Sequence, residues 1–260
     1  RNSFPNTTEQ NYVDVLNMSL GGNGNPDDPI STAVDNATCT VSVVSAGNSG
    51  PNANTIGSPG TARKAITVGA TDKQDVIADF SSRGPVVWPG GTLSKPDVVA
   101  PGVSICSAQW DGAWSDRQCF DDKHISLRGT SMAAPHVAGA VVLLKQVRPS
   151  LTSDDIKSVL TASSKNLGYD VNTQGAGRID VFKALDSLGT CADSDMGVYY
   201  YARGRVYGIS REGLPYGYND SCSGVRIIDE WYCDGNQPKK ITAACRRGNS
   251  CIRGRCARNR

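Results

Sequence analysis

The stretch Gly129-Thr-Ser-Met-Ala-Ala-Pro-His-Val-Ala-Gly139 decides the fold of this 260-residue chain. It opens an apolar, Ala-rich segment, residues 129–147, that ends in cationic residues before Pro149. Cations in a last turn followed by proline are typical stop signals of a helix, and the low polarity predicts a central, buried helix. Ser131 lies at its start, where free backbone N–H groups and the helix dipole favour negative charge.

Around this helix, short β-branched runs are followed by Gly or Pro. Runs without polar alternation are typical of strands buried on both faces of a parallel sheet. Strands that alternate with helices predict an α/β fold, a parallel sheet flanked by helices. The predicted strands are residues 12–18, 41–44, 65–68 and 97–100; the predicted helices are 27–38, 129–147, 156–160 (after a capping box at Thr152 to Asp155) and 179–188.

Helical periodicity stops at residues 188–190, and we place a domain boundary there, between residues 1–189 and 190–260. The second part is predicted to be a small, disulfide-rich, mostly β domain with strand-like pieces at residues 198–201 and 225–228. An even set of cysteines in a short polar segment is typical of a disulfide framework, and six of them allow 15 pairings. The absence of CxxC spacing disfavours zinc. These cysteines are Cys191, Cys222, Cys233, Cys245, Cys251 and Cys256.

The charge distribution and the lack of long apolar stretches disfavour a nucleic-acid-binding protein and a membrane-spanning protein. Residues 1–189 carry 15 Lys and Arg against 18 Asp and Glu, whereas residues 190–260 carry 12 against 7. The basic tail lacks a basic helix or an RNA-binding motif, so we expect no nucleic-acid partner. No apolar stretch approaches the roughly 18 residues of a membrane helix. Because Arg1 is not a natural start, we expect a longer protein with an upstream signal peptide, secreted or at the cell surface.

Five motifs in this chain resemble, in order, those of subtilases, the subtilisin-like serine proteases of peptidase family S8. The serine motif is the stretch quoted above, and the likeness covers about residues 12–188. Five ordered motifs are far more specific than a lone Gly-Thr-Ser. The other four are Asn17-Met-Ser-Leu-Gly21, Ser45-Ala-Gly-Asn-Ser-Gly50, Phe80-Ser-Ser-Arg-Gly84 and Lys95-Pro-Asp-Val-Val-Ala-Pro-Gly102.

The resemblance implies a role for each matching residue. Ser131 corresponds to the nucleophile of a serine endopeptidase, and its backbone N–H with the Asn48 side chain corresponds to the oxyanion hole. The implied substrate is a polypeptide, and the chemistry requires no cofactor and no catalytic metal. The implied substrate-binding residues are Ser19, Leu20 and Gly21, which would pair with an extended chain, and Ser45, Ala46 and Gly47, which would form a pocket wall.

The general base is missing from the matching region. Subtilases carry their triad in the order Asp, His, Ser, so both partners of Ser131 would lie before residue 1. His136 follows Ser131 by five residues along the helix and points away from it, and His124 lies in an acidic loop. Two explanations compete. In the first, the chain is the C-terminal portion of a catalytic domain, and its missing partner is the N-terminal part of that domain. In the second, it is a subtilase-like protein that binds peptides without cutting them. A secreted, disulfide-rich adhesion module is a third alternative.

The tail resembles, more loosely, a small cysteine-containing module of secreted archaeal proteins. Its two acidic residues, Asp193 and Asp195, do not supply the 6–8 oxygens that calcium prefers. We therefore predict solvated turn residues there, and structural calcium is possible but cannot be assigned. Outside the tail, Cys106 and Cys119 are expected to form a local disulfide, and Cys39 is expected to be a buried free thiol or the partner of a residue outside the chain.

Overall fold

A four-stranded parallel sheet organises the part of the chain that carries the five motifs. The computed structural model describes residues 13–110, 113–210, 214–234 and 236–258. These divide into two compact units: the described residues of Arg1–Leu143 and Leu151–Val181, and those of Leu144–Ser150 and Phe182–Arg260. The domain boundary after residue 189 stays a prediction.

The strands of the first unit follow the β-branched runs of the sequence. The parallel sheet has the order β1-β2-β3-β6, and β4–β5 and β7–β8 form antiparallel pairs. Tyr12, the first residue of a predicted strand, lies outside the described residues. The strands are β1 (Val15–Met18), β2 (Val41–Ser45), β3 (Ile66–Thr71), β4 (Val86–Trp88), β5 (Gly91–Leu93), β6 (Val98–Pro101), β7 (Ile105–Ala108) and β8 (His124–Leu127).

Both faces of the central strands are buried, as the sequence predicts. Every residue of β2 and β3 is buried, which is why these strands show no polar alternation. The register pairs Val43 with Ile66 and Val68 with Val98. The α/β class with a parallel sheet and flanking helices is therefore confirmed.

The helices begin close to where their sequence signals stand. Asp28 caps α1 by accepting hydrogen bonds from two backbone N–H groups, and Thr152 and Asp155 form the predicted capping box of α3. None of the described helices combines the length and apolarity required to cross a bilayer. The helices are α1 (Pro29–Asn36), α2 (Thr130–Val147), α3 (Ser153–Ser163), α4 (Val171–Gln174) and α5 (Val181–Ser187).

The second unit is built mostly from short antiparallel strands and three disulfides. The sheets are β11-β10-β9, β12-β13-β14 and β15-β16. All six tail cysteines are paired, as Cys191–Cys233, Cys222–Cys251 and Cys245–Cys256. The strands are β9 (Thr190–Asp193), β10 (Arg205–Ile209), β11 (Pro215–Asn219), β12 (Ser221–Gly224), β13 (Ile227–Asp234), β14 (Gln237–Ala244), β15 (Asn249–Cys251) and β16 (Cys256–Arg258).

Three expectations for local structure and cysteine state need correction, while the predicted Cys106–Cys119 disulfide is present. Residues 198–201 form no strand, because the Tyr199 N–H donates to the Glu230 carboxylate and the Tyr200 carbonyl accepts from Cys256 N. Residues 225 and 226 form the turn before β13. Cys39 is free but exposed, because it lies in the turn before β2 and not in the strand.

A buried charge cluster joins β3, β6 and α3. Lys95 is fully buried, and its Nζ donates to Asp97 Oδ2 at 2.6 Å and to the Ala65 carbonyl at 2.9 Å. Lys157 of α3 contacts the other oxygen of Asp97 at 2.8 Å, and Thr67 N donates to Oδ2 at 2.7 Å. Burial lowers the pKa of Lys95 to about 8 although Asp97 opposes the shift. The Asp97 carboxylate is therefore what keeps a cation tolerable inside the fold.

Replacing Asp97→Asn should lower the free energy of unfolding by about 3–5 kcal/mol, because it leaves a buried ammonium without its counter-charge. Urea denaturation of the chain at neutral pH measures the loss. The control is Asp27→Asn, which removes the partner of Arg63 in an exposed ion pair and should change stability little. Equal effects of the two variants would contradict this account of Asp97.

Candidate active site

Ser131 lies in the first turn of α2. Its backbone N–H donates to no acceptor among the described residues, as expected for the first turn of a helix. Gly129, just before the helix, has a φ of +149°, a conformation that residues with a side chain rarely adopt. The sequence thus places a hydroxyl and a free N–H side by side at the positive end of a helix.

A proline inside α2 couples Ser131 to β1. Pro135 has no N–H, so the Ser131 carbonyl has no partner four residues ahead in the helix. That carbonyl accepts instead from Ser19 Oγ at 2.9 Å, and Ser131 Oγ donates to the Ser19 carbonyl at 3.2 Å. The pair of hydrogen bonds holds the residue after β1 against the helix start.

Asn48 is oriented by Thr130. Asn48 Oδ1 accepts from Thr130 N at 2.9 Å and from Thr130 Oγ1 at 3.0 Å, while Nδ2 donates to none of the described residues. A Cβ placed on Gly129 would lie 3.5 Å from Asn48 Nδ2 and 3.7 Å from Ser131 N. Two N–H donors therefore border one small space, which glycine leaves open.

The loop that carries Asn48 is supported from residues 80–82. Ser82 is fully buried and accepts from Ser49 N at 3.1 Å through its hydroxyl, and its own N–H donates to the Gly47 carbonyl at 3.0 Å. Gly50 N donates to the Phe80 carbonyl at 2.9 Å. Gly47 has a φ of +107° and lies too close to Ser82 Oγ for a side chain.

The predicted residues border a cleft of about 610 Å³. Ser131, Asn48 and five of the six expected substrate-binding residues line it. Ser19 is absent from the lining but is bonded to Ser131 as described. The Gly21 N–H, on the exposed rim, donates to none of the described residues. The lining residues are Leu20 to Gly24, Ser45 to Ser49, Asn54 to Gly57, Thr130 and Ser131.

Neither histidine of the sequence serves Ser131. His124 Nδ1 lies 2.6 Å from Asp121 Oδ1 at the surface, and His136 Nδ1 lies 2.9 Å from the Met132 carbonyl of its own helix. In the part of the chain that the structure describes, no imidazole or carboxylate is hydrogen-bonded to Ser131 Oγ.

Comparison with known proteins decides the family. The model of the subtilase family, peptidase S8, matches residues 5–177. The chain belongs to the subtilase family. A subtilase relative, serine protease AprX of Bacillus subtilis, is 38% identical over 187 residues, which cover 65% of this chain and 42% of AprX. Subtilisin DY of Bacillus licheniformis is 39% identical over 176 residues, which cover 66% of this chain and 57% of that protein.

A subtilase-like fold is also found among solved structures. A protease structure from Pseudoalteromonas arctica matches with a TM-score of 0.53 and 29% identity, covering 71% of this chain and 54% of that one. The matched part of the chain thus spans about half the length of each of these three proteins.

Three residues that support the cleft were not predicted from the sequence. Thr130 is fully buried, and its Oγ1 also accepts from Gly47 N at 3.2 Å. Pro135 releases the Ser131 carbonyl, and Ser82 supports the Asn48 loop. A proline in the first two turns of an apolar helix is a signal that could have been used, whereas the roles of Thr130 and Ser82 depend on contacts distant in sequence.

Replacing Thr130→Val, which keeps the shape but removes the hydroxyl, should lower the free energy of unfolding by about 1–3 kcal/mol. The reason is that the Gly47 N–H and the Asn48 Oδ1 both lose a partner. Urea denaturation of the chain measures the change.

The matched control is Thr130→Ser, which restores the hydroxyl and removes one methyl group. It should cost only about 0.5–1.5 kcal/mol, as other single-methyl deletions do. If serine were as damaging as valine, the methyl group and not the hydroxyl would be the important part of Thr130.

Proposed function

We propose that this chain forms the nucleophile-bearing part of a serine endopeptidase, with Ser131 as the nucleophile. The observation that carries the proposal is the space beside Gly129, bordered by Ser131 N and Asn48 Nδ2 at the mouth of a cleft. Two donors aimed at one point are what an oxyanion requires. Family membership and relatives named as proteases support the same reaction.

In the proposed reaction, Ser131 Oγ attacks the carbonyl carbon of a peptide bond and gives its proton to a histidine. The carbonyl oxygen becomes negative and accepts from Ser131 N and Asn48 Nδ2. The histidine then protonates the leaving amine as the C–N bond breaks, which leaves an ester on Ser131. Water then attacks the ester carbonyl and gives a proton to the histidine. The histidine passes this proton to Ser131 Oγ as the ester C–O bond breaks, which releases the carboxylic acid product and regenerates the serine.

The histidine and the aspartate of this reaction are proposed to come from a segment of the same catalytic domain outside this sequence. An apolar groove of about 500 Å³ next to Ser131 offers a surface for that segment, lined by side chains of β7, β8 and α2 that include Ile105, Leu127 and Met132. The alternative is a subtilase-like module that binds peptides without cleaving them. It is favoured only by the absence, among the described residues, of an imidazole or carboxylate bonded to Ser131 Oγ.

The substrate is proposed to be a polypeptide held in extended form along residues 19–21, with one side chain against Ser45, Ala46 and Gly47. The exposed Gly21 N–H is free to pair with such a chain. The four disulfides support a secreted or cell-surface location, because disulfides persist in oxidising compartments. No nucleic-acid partner is proposed.

A fluorophosphonate probe separates the two readings of Ser131. The 260-residue chain should react slowly, because a serine without a general base is a weak nucleophile. The full-length protein should react rapidly, and Ser131→Ala should abolish both labelling and peptide hydrolysis. Unchanged hydrolysis by the Ser131→Ala protein would exclude Ser131 as the nucleophile, and slow labelling of the full-length protein would favour the binding module.

Replacing Asn48→Leu in the full-length protein should lower kcat by about 10²–10³-fold with little change in KM, because the lost donor acts on the oxyanion. The magnitude is that measured in subtilisin for the loss of one such donor. Steady-state hydrolysis of a peptide substrate measures it. The control is Asn52→Leu, which should leave kcat unchanged. Asn52 is an exposed residue of the same loop and does not line the cleft. A rise in KM alone for Asn48→Leu would contradict the assigned role of Asn48.

A further inference from the structure

Three carboxylates meet inside the disulfide-rich second unit. One oxygen from each of Asp195, Asp220 and Glu230 lies within 4.8 Å of the other two. They come from three parts of the chain: the loop after β9, the junction of β11 and β12, and strand β13. The expectation of solvated turn residues at Asp195 is therefore wrong, because both of its carboxylate oxygens are buried.

Glu230 is the most deeply buried member of the cluster. Its side chain is fully buried. Oε1 accepts from Tyr199 N at 2.6 Å, but the buried Oε2 has no hydrogen-bond partner among the described residues. A buried carboxylate oxygen without a hydrogen bond is costly, so it indicates a missing positive ligand.

Asp195 and Asp220 face the same space. Neither carboxylate oxygen of Asp195 has a hydrogen-bond partner in the part of the chain that the structure describes. Asp220 is buried and accepts from Gly204 N at 2.5 Å and from Trp231 N at 2.9 Å. A Cβ on Gly204 would lie 2.4 Å from Asp195 Oδ1 and 2.6 Å from Asp220 Oδ2, so glycine leaves room for these two oxygens to converge.

The cluster gathers like charges. None of the three carboxylates forms an ion pair with a Lys or Arg of the described residues. Burial raises the pKa of Glu230 to about 7 against the opposing Tyr199 N–H, and the charges of Asp220, Asp195 and Asp193 add to the shift. Burial and the neighbouring carboxylates of Asp193 and Asp220 raise the pKa of Asp195 to about 6.

We propose that Asp195, Asp220 and Glu230 bind a divalent cation, calcium, which stabilises the second unit. Two oxygens bound to one Ca²⁺ at 2.3–2.6 Å are at most about 5 Å apart, which agrees with the observed spacing. An all-oxygen site suits hard cations. Zinc is disfavoured because every cysteine of this unit is in a disulfide. The three carboxylates supply three to six of the ligands, and backbone carbonyls or water supply the rest.

The test uses the chelator-treated 260-residue chain, calcium alone as the probe, and hydrogen exchange read by mass spectrometry. Calcium should slow exchange in peptides that contain the Tyr199, Gly204 and Trp231 amides, because their acceptors belong to the cluster. This local readout separates the site from any other cation site in the chain. No change in these peptides with calcium would overturn the proposal, and an equal response to magnesium would overturn the choice of cation.

Glu230→Gln is the decisive variant, and it should weaken the calcium response at least about tenfold, since even loss of an outer-sphere partner costs 10–100-fold. Asp229→Asn is the matched control. Asp229 is the preceding residue of β13 but bonds Thr242 and Lys240 instead, so its variant should respond as the original chain does. A wild-type response in Glu230→Gln would refute the site.

The stability of the variant without calcium shows whether a lost calcium response results from misfolding. In chelator, Glu230→Gln should be at least as stable as the original chain at pH 8, because the neutral amide removes a repelled charge. A less stable variant under these conditions would mean that the Glu230 charge supports the fold directly, which contradicts the proposal. Asp195→Asn, at a partly exposed residue, provides a second variant with the same expected loss of calcium response.

Discussion

A single buried hydroxyl holds the candidate active site together. Thr130 Oγ1 accepts from Gly47 N and donates to Asn48 Oδ1, while Thr130 N donates to the same oxygen. The loop after β2 and the start of α2 are thereby fixed relative to each other. Both lie where strands of a parallel sheet end, the edge at which α/β folds bind their ligands. The position of Asn48 relative to Ser131 thus depends on a residue that takes no part in the proposed chemistry.

Close approach of backbone segments makes this arrangement possible. A Cβ on Gly102 would lie 2.8 Å from the Gly129 carbonyl and from Ala70 Cβ, so a side chain there would push α2 away from the sheet. Ala133 Cβ would lie 3.3 Å from the same added Cβ, and Ala133 is fully buried. The helix therefore reaches the sheet closely enough for Thr130 to meet the loop after β2. The small residues of the motif serve packing as well as substrate access.

The strands and helices could be predicted from the sequence better than the hydrogen bonds between distant residues. The buried strands and the capped helices follow from local patterns, because burial on both faces removes polar residues and a cap needs only its own turn. Ser131, Asn48 and the cleft residues were found through family motifs. Thr130 and Ser82 were not, since their partners are up to 83 residues away. The strand expected at residues 198–201 failed for the same reason: a distant carboxylate, Glu230, takes the Tyr199 N–H.

The acidic cluster could not have been recognised from sequence spacing. Strand pairing and the Cys191–Cys233 bridge bring the three carboxylates together. The bridge joins β9, which ends just before Asp195, to β13, which contains Glu230. Repulsion among these groups opposes the same fold that assembles them, and disulfides offset it only by restricting the unfolded chain. A bound cation removes the repulsion itself. On this proposal, calcium stabilises the disulfide-bonded unit by neutralising its buried carboxylates.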